Sequence, residues 1–450
     1  MQHDFSEGKV SRQIISQAVP LTLAQIVNLM YNIVDRIYLG HLSETDSMAL
    51  TGVGLIFPIV SLIAAFTSLF GTGGTPLFAI ARGAGREERA SRLLGHVTSL
   101  LTLCSVLLMA VSYLFRRPIL FAFGASEASY VYASAYLSFY LIGTPFAMLS
   151  TGLNGFINAQ GFPRVGMLTT VIGAVINLVL DPLFIFVFGM GVRGAAIATV
   201  IGQAVSCLWV LCFLTGKKAL IPIRREHLPV RWGMLKEIVA LGIVGFIMQA
   251  TNALTQVACN TTLQRYGGDL YVSVMTVLNS VREIFSMPIH GITSGAQPVL
   301  GYNYGAKKPA RVREGIRFTT VIGTLYTLLA WLLVIWQARF LVSIFASDAA
   351  LLEAGPPALR LYFFGFVFQA FQMCGQTVFQ SLGDAKHAVF FSLLRKVVIV
   401  TPLTFLLPAL GLGVNGVFIA EPVSNFLGGM ACFVTMYLTV YKKKLAQAAP

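Results

Sequence analysis

Apolar runs of twenty or more residues follow one another along the whole chain, separated by short polar connections. They fall at about 14–39, 49–70, 93–115, 130–157, 165–188, 195–214, 235–261, 271–300, 316–337, 357–381, 388–409 and 417–441. A helix of about twenty residues rises roughly 30 Å, enough to cross the hydrocarbon of a bilayer. The pattern therefore predicts twelve transmembrane helices and an all-α integral membrane protein. The runs are continuously apolar. They do not alternate every second residue, as the strands of a membrane barrel would. The first residues, MQHDFSEGKVSRQ, are polar and lead into a run too long for the core of a cleavable signal, so none is expected.

Composition agrees with this reading. Of 450 residues 56% are hydrophobic and 11% charged, with mean hydropathy +0.76; soluble domains carry about 25% charged residues. The net charge of +14 does not call for a nucleic-acid partner. Basic loops are what the positive-inside rule requires, and with the N-terminus inside, 24 of the 32 Lys and Arg fall on the inner side. Both termini are then cytoplasmic, and an inner (plasma) membrane is expected. The six cysteines lie inside apolar runs without CxxC spacing and read as packing residues, neither disulfides nor metal ligands.

The chain also repeats itself at an offset of 222. GTPLFAIARGAG (74–85) lies over AQPVLGYNYGAK (296–307), and GMGVRGAAIAT (189–199) over GLGVNGVFIAE (411–421). Seven of the 22 glycines in the first half meet a glycine in the second, where composition predicts about two. Each copy holds six spans, so both insert the same way up, related by an axis along the membrane normal. The expected lobes are 1–214 and 234–450, joined by a basic cytoplasmic linker at 215–233. A duplicated bundle of this kind suits a transporter that rocks two lobes about a cavity.

The candidate chemistry sits in the first copy. Asp35 lies in span 1, Asn177 and Asp181 in span 5, and Thr199 in span 6. Asn177 and Asp181 are four apart and share a helix face. Pro182 follows and should bend the backbone, as should Pro20 near the inner end of span 1. At about 1.5 Å per residue, Asp35, Asp181 and Thr199 lie roughly 6–10 Å below the outer surface. Ionisable groups at such places are costly and point to function. Two carboxylates, an amide and a hydroxyl offer only oxygen, which suits a hard cation such as Na⁺, with Asp35 and Asp181 as its ligands; the same carboxylates could instead carry a proton. Plainer readings exist: Asp35 paired with Arg36, Asn177 as an interhelical hydrogen bonder, Thr199 as packing, Asp181 as a helix cap.

The second copy differs. Leu403 stands where Asp181 would fall, Ile399 where Asn177 would, and Glu421 where Thr199 would. Glu421 could meet a cationic substrate or pair with a basic residue. Arg282 and Glu283 are adjacent in span 8 and diverge by about 100° on a helix, so separate structural ion pairs are expected for them. All three are carried as candidates for substrate contact or coupling. The Gly-Pro-rich ends of spans 2 and 8 lack the Lys-Ser/Thr of a nucleotide loop. The abundant Phe and Tyr could line a cavity for an aromatic cation.

At VDRIYLG in span 1, NLVLDPLFIF in span 5, GxGxxGAAxAT leading into span 6, and the paired TP…GAG and QPVLGYNYGAK segments, the sequence resembles the multidrug and toxic compound extrusion (MATE) family, over nearly its whole length. The resemblance implies a V-shaped pair of six-helix lobes and antiport of a substrate against Na⁺ or H⁺. It also implies a cation site in the N-terminal lobe at Asp35, Asn177, Asp181 and Thr199. Some subgroups carry acids in spans 7 and 10; none stands there here, which points to the bacterial branches working from the first lobe. The expected function is export of amphipathic, cationic organic compounds. No cofactor beyond the coupling ion, no nucleic acid and no enzymatic activity is expected, and a monomer is the simplest state. A lipid-linked precursor flippase is the alternative, set back by the few cations expected in its cavity; a membrane enzyme or a channel finds no motif in the sequence.

Overall fold

A computed structural model describes residues 5–42, 55–123, 125–345 and 348–447, with all side chains except those of residues 32, 35–37, 39–42, 128, 253 and 447. Among the described residues the structure is helical, without strands. We number the spans α1 (Val10–Leu42), α2 (Phe57–Gly83), α3 (Glu87–Leu114), α4 (Glu127–Ala159), α5 (Pro163–Pro182) and α6 (Gly191–Thr215). The helical stretch Trp232–Gly305 is broken at Gly268, whose φ of 66° and ψ of −166° turn the chain. It thus holds α7 (232–267) and α8 (269–305). Then come α9 (Pro309–Trp336) and α10, in the two pieces Ala349–Phe363 and Phe366–Ser381. The α11 span joins Ala385–Leu393 to Thr401–Leu407 through a π-helical stretch, Leu394–Val400, and α12 is Gly413–Met436.

The duplication is written in the backbone. Positive φ recurs in pairs 222 positions apart: Gly85 (68°) and Lys307 (55°), Gly161 (90°) and Gly383 (75°), Gly189 (63°) and Gly411 (99°), Gly191 (56°) and Gly413 (52°). Left-handed backbone is cheap for glycine and costly for other residues. Lys307 makes the same turn without a glycine.

Two compact units form. Of the described residues, the first comprises those within 23–246, and the second those within 5–22 and 247–447. They differ from the expected lobes in the first helix of each copy. Residues 10–22 of α1 pack with the C-terminal unit, and residues 232–246 of α7 with the N-terminal unit. Close approach at glycines explains this. A Cβ at Gly73 of α2 would strike Ile238 O and lie 2.9 Å from Gly242 Cα, both in α7. At the equivalent Gly295 of α8 it would lie 2.6 Å from Ala18 N in α1. Residues 215–231 also belong to the N-terminal unit. Gln160 donates to Ile221 O and accepts from Ile221 N, and Ser99 donates to Leu228 O. In the C-terminal unit the segment before α1 is held likewise: Arg311 donates to Phe5 O and Gly8 O, and Phe5 is fully buried.

Inside each unit the core is apolar and aromatic. Phe78 of α2 meets Phe156 of α4 edge-on at 5.2 Å, over Leu93, Leu94 and Leu101 of α3. In the second unit Phe363 packs with Phe366, Leu278 and Phe418. Exposed apolar side chains such as Leu103, Leu107 and Leu114 of α3 cover its other face, as a lipid-facing helix requires. By length and composition, eight helical stretches among the described residues can cross a membrane, and two of these, Trp232–Gly305 and Ala385–Lys444, are long enough for two spans each.

Candidate functional site

In the N-terminal unit, α5 and α6 build a buried polar cluster. Asn177, Asp181 and Thr199 are 2%, 1% and 7% exposed. The first two lie one turn apart on the same face of α5. Oriented to suit both neighbours, the Asn177 amide donates from its nitrogen to Asp181 Oδ2 at 2.6 Å, and its oxygen accepts from Thr199 Oγ1 at 3.1 Å. The Thr199 hydroxyl also lies 3.0 Å from Ala195 O, one turn back in α6.

Glycine sets the distance between the two helices. A Cβ at Gly202 would sit 2.8 Å from Gly173 O, and one at Gly194 would sit 2.7 Å from the backbone carbon of Phe184. These contacts lie on either side of Thr199 and hold α6 hard against α5. Pro182 has no N–H to donate to the preceding turn, and the backbone beyond it widens to a π-helical turn, Leu183–Val187. Such turns are frequent at functional sites. The cluster thus presents a carboxylate, an amide oxygen and a hydroxyl in a dry setting, a set that suits a hard cation or a proton. Asp35 belongs to α1, and its side chain lies outside the described residues. Pro20 is buried in α1, two residues before the chain passes from one unit to the other at Thr22. Among the described residues no group of three or more His, Cys, Asp or Glu is arranged to hold a metal ion.

The C-terminal unit carries a second buried cluster, of reversed sign. Glu421 Oε1 accepts from Arg282 at 3.0 Å, from Arg395 at 3.1 Å and from Lys396 at 3.2 Å. Lys396 also reaches Oε2 at 3.2 Å. Arg395 donates in addition to Asn425 Oδ1 at 2.7 Å. Of the separate ion pairs expected for Arg282 and Glu283, Arg282 makes one, to Glu421; Glu283 is exposed and makes no salt bridge among the described residues. The sequence reading missed Arg395 and Lys396. The signal was the adjacent pair inside SLLRKVVIV, two cations in an otherwise apolar run. They sit in the π-helical stretch of α11, whose wide turn lets two neighbours reach one carboxylate.

The sequence model of the MatE family matches residues 20–183 and 246–406. The chain is similar to multidrug export protein MepA of Staphylococcus haemolyticus, 25% identical over 449 residues and 98% of each chain. It is similar to the protein of that name from Staphylococcus aureus MRSA252, 23% identical over 435 residues, 96% of this chain and 95% of the other. Among solved structures, MATE in the bent conformation matches with a TM-score of 0.92 at 23% identity, over 98% of each chain. An outward-facing multidrug resistance MATE transporter of the MOP superfamily matches at 0.90 and 22%, over 98% of this chain and 97% of that one. The MepA names speak of export, and none of the four favours a flippase.

Proposed function

The chain belongs to the MatE family, and from that premise we propose that it is a secondary antiporter of an inner (plasma) membrane. It exports amphipathic organic compounds, cationic ones among them, in exchange for inward Na⁺ or H⁺. Both termini are cytoplasmic, and no resident cofactor is required. That the protein is a multi-pass membrane transporter and not an enzyme follows from the family itself; the ion, its site and the substrate charge are our reading.

The observation that carries it is the Asn177–Asp181–Thr199 cluster. A carboxylate this deeply buried is held at a cost of several kcal/mol unless it is neutralised. An ion arriving from outside, received by Asp35 and Asp181, relieves that cost. The neutral state then favours a different packing of α1 about Pro20, and the substrate leaves outward. The coupling comes from the ion's unequal affinity for the two packings. The test is efflux of a dye-like cation from reconstituted vesicles under an imposed Na⁺ gradient and then a pH gradient. Acceleration by one of them is expected. Equal rates with both gradients collapsed would remove the antiport reading.

A further inference from the structure

We propose that the cavity of the C-terminal unit beside Glu421 is a binding site for the carboxylate group of a small organic acid. This goes beyond the antiport reading and does not depend on it. The cavity measures about 160 Å³ and lies among α7, α8, α10, α11 and α12. An apolar cavity of about 150 Å³ holds one benzene ring, so the body of a bound acid is limited to about that size.

Charge comes first. Arg282 and Lys396 line the cavity and Arg395 stands behind them, all three on the single carboxylate of Glu421. Even with the exposed Glu283 counted, three positive charges face two negative ones. A buried excess of one sign is costly, and a bound monoanion cancels it. Glu421 is also the one hydrogen-bond acceptor of Arg282 among the described residues, which leaves most of that guanidinium's five donors for a ligand. Arg282 is 30% exposed at its side chain, so part of it is open to a ligand.

Neutral groups add a second, independent pointer. Thr255 lines the cavity and is 7% exposed, and its Oγ1 has no hydrogen-bond partner among the described residues. An unpaired buried hydroxyl is expensive, and an anionic oxygen would satisfy it. Tyr362 lies under Arg282, its ring 5.5 Å from the guanidinium carbon, and donates to Asn279 Oδ1 at 3.0 Å. The ring and the side chains of Met275, Val400 and Val417 form an apolar wall for the body of the acid. A cation would meet Arg282 and Lys396 at once.

The test uses three probes of one shape: benzoate, benzamide and benzamidinium. Each is titrated into the purified full-length protein in detergent, by calorimetry and by thermal shift. Benzoate should bind, benzamide about tenfold or more weaker, and benzamidinium not at all. Glu421→Gln removes the internal competitor and should tighten benzoate about tenfold. Lys396→Gln should weaken it about tenfold. Thr255→Val keeps the shape and the charge balance, so it should fold even if the others do not, and should weaken benzoate several-fold. Equal affinity for the three probes, or benzoate binding untouched by Thr255→Val, overturns the proposal. Chloride displacing benzoate at the same concentration would replace an organic-acid site with one for inorganic anions and also overturns it.

Discussion

Position 199 holds a threonine and position 421, its partner in the other copy, a glutamate. Around them the backbone plan is shared: the turns before α6 and α12 use positive φ at 189 and 191, and again at 411 and 413. The side chains invert. On α5 the acid Asp181 faces the hydroxyl of Thr199 through Asn177, and Gly173 meets Gly202 with no side chain between. At the same places α11 carries Arg395 for Gly173 and Leu403 for Asp181, while α12 carries Ser424 for Gly202. There Ser424 donates to Arg395 O at 3.0 Å, and Arg395 runs on to Glu421. One pair of helices keeps an acid in an oxygen-lined niche; the other keeps one acid under three cations. The glycine turns fix the helix directions, and the chemistry between the helices was free to diverge. The first pair suits a cation and the second an anion.

The comparison breaks hardest at Glu421. With the carboxylate gone, the buried Lys396 and the partly buried Arg282 and Arg395 repel one another, so Glu421→Gln should cost about 3–5 kcal/mol, read by denaturation in detergent, and benzoate should restore part of it. Thr199→Glu would be the mirror change; it sets a second buried acid beside Asp181, and about 3 kcal/mol of destabilisation is expected by the same measurement. Next comes the helix contact. Gly202→Ala pushes α6 off the Gly173 carbonyl and should cost about 1–3 kcal/mol, whereas Ser424→Ala loses one hydrogen bond, about 1 kcal/mol. Asn177→Ala removes the donor to Asp181; ion-driven efflux should need about tenfold more coupling ion. Thr199→Val should be mildest, a shift of several-fold in the same assay.

Much of this could be read without coordinates, and the reasons are physical. Twelve apolar runs follow from the thickness of hydrocarbon. Asn177 and Asp181 share a face because helical spacing is fixed. Arg395 and Lys396 escaped because averaging over an apolar run hides two charges, and because a π turn, invisible in periodicity, aims both at one partner. The division of α1 at Thr22 was also hidden. It depends on which helix a glycine such as Gly295 faces, and sequence spacing within one helix does not carry that. The plainer reading of Glu421, pairing with a basic residue, matches the geometry, though the number of partners could not be counted beforehand. Asp35 was legible as a charge in an apolar run, and its side chain lies outside the described residues.

The central claim is that the coupling ion acts on Asp181, in the N-terminal unit. Vesicles holding either the natural protein or Asp181→Asn, matched for protein content and thermal stability, measure this directly when dye efflux is followed under a Na⁺ gradient and then a pH gradient. The account predicts acceleration by one of the gradients with the natural protein and by neither with Asp181→Asn. Equal acceleration of the two proteins would contradict it.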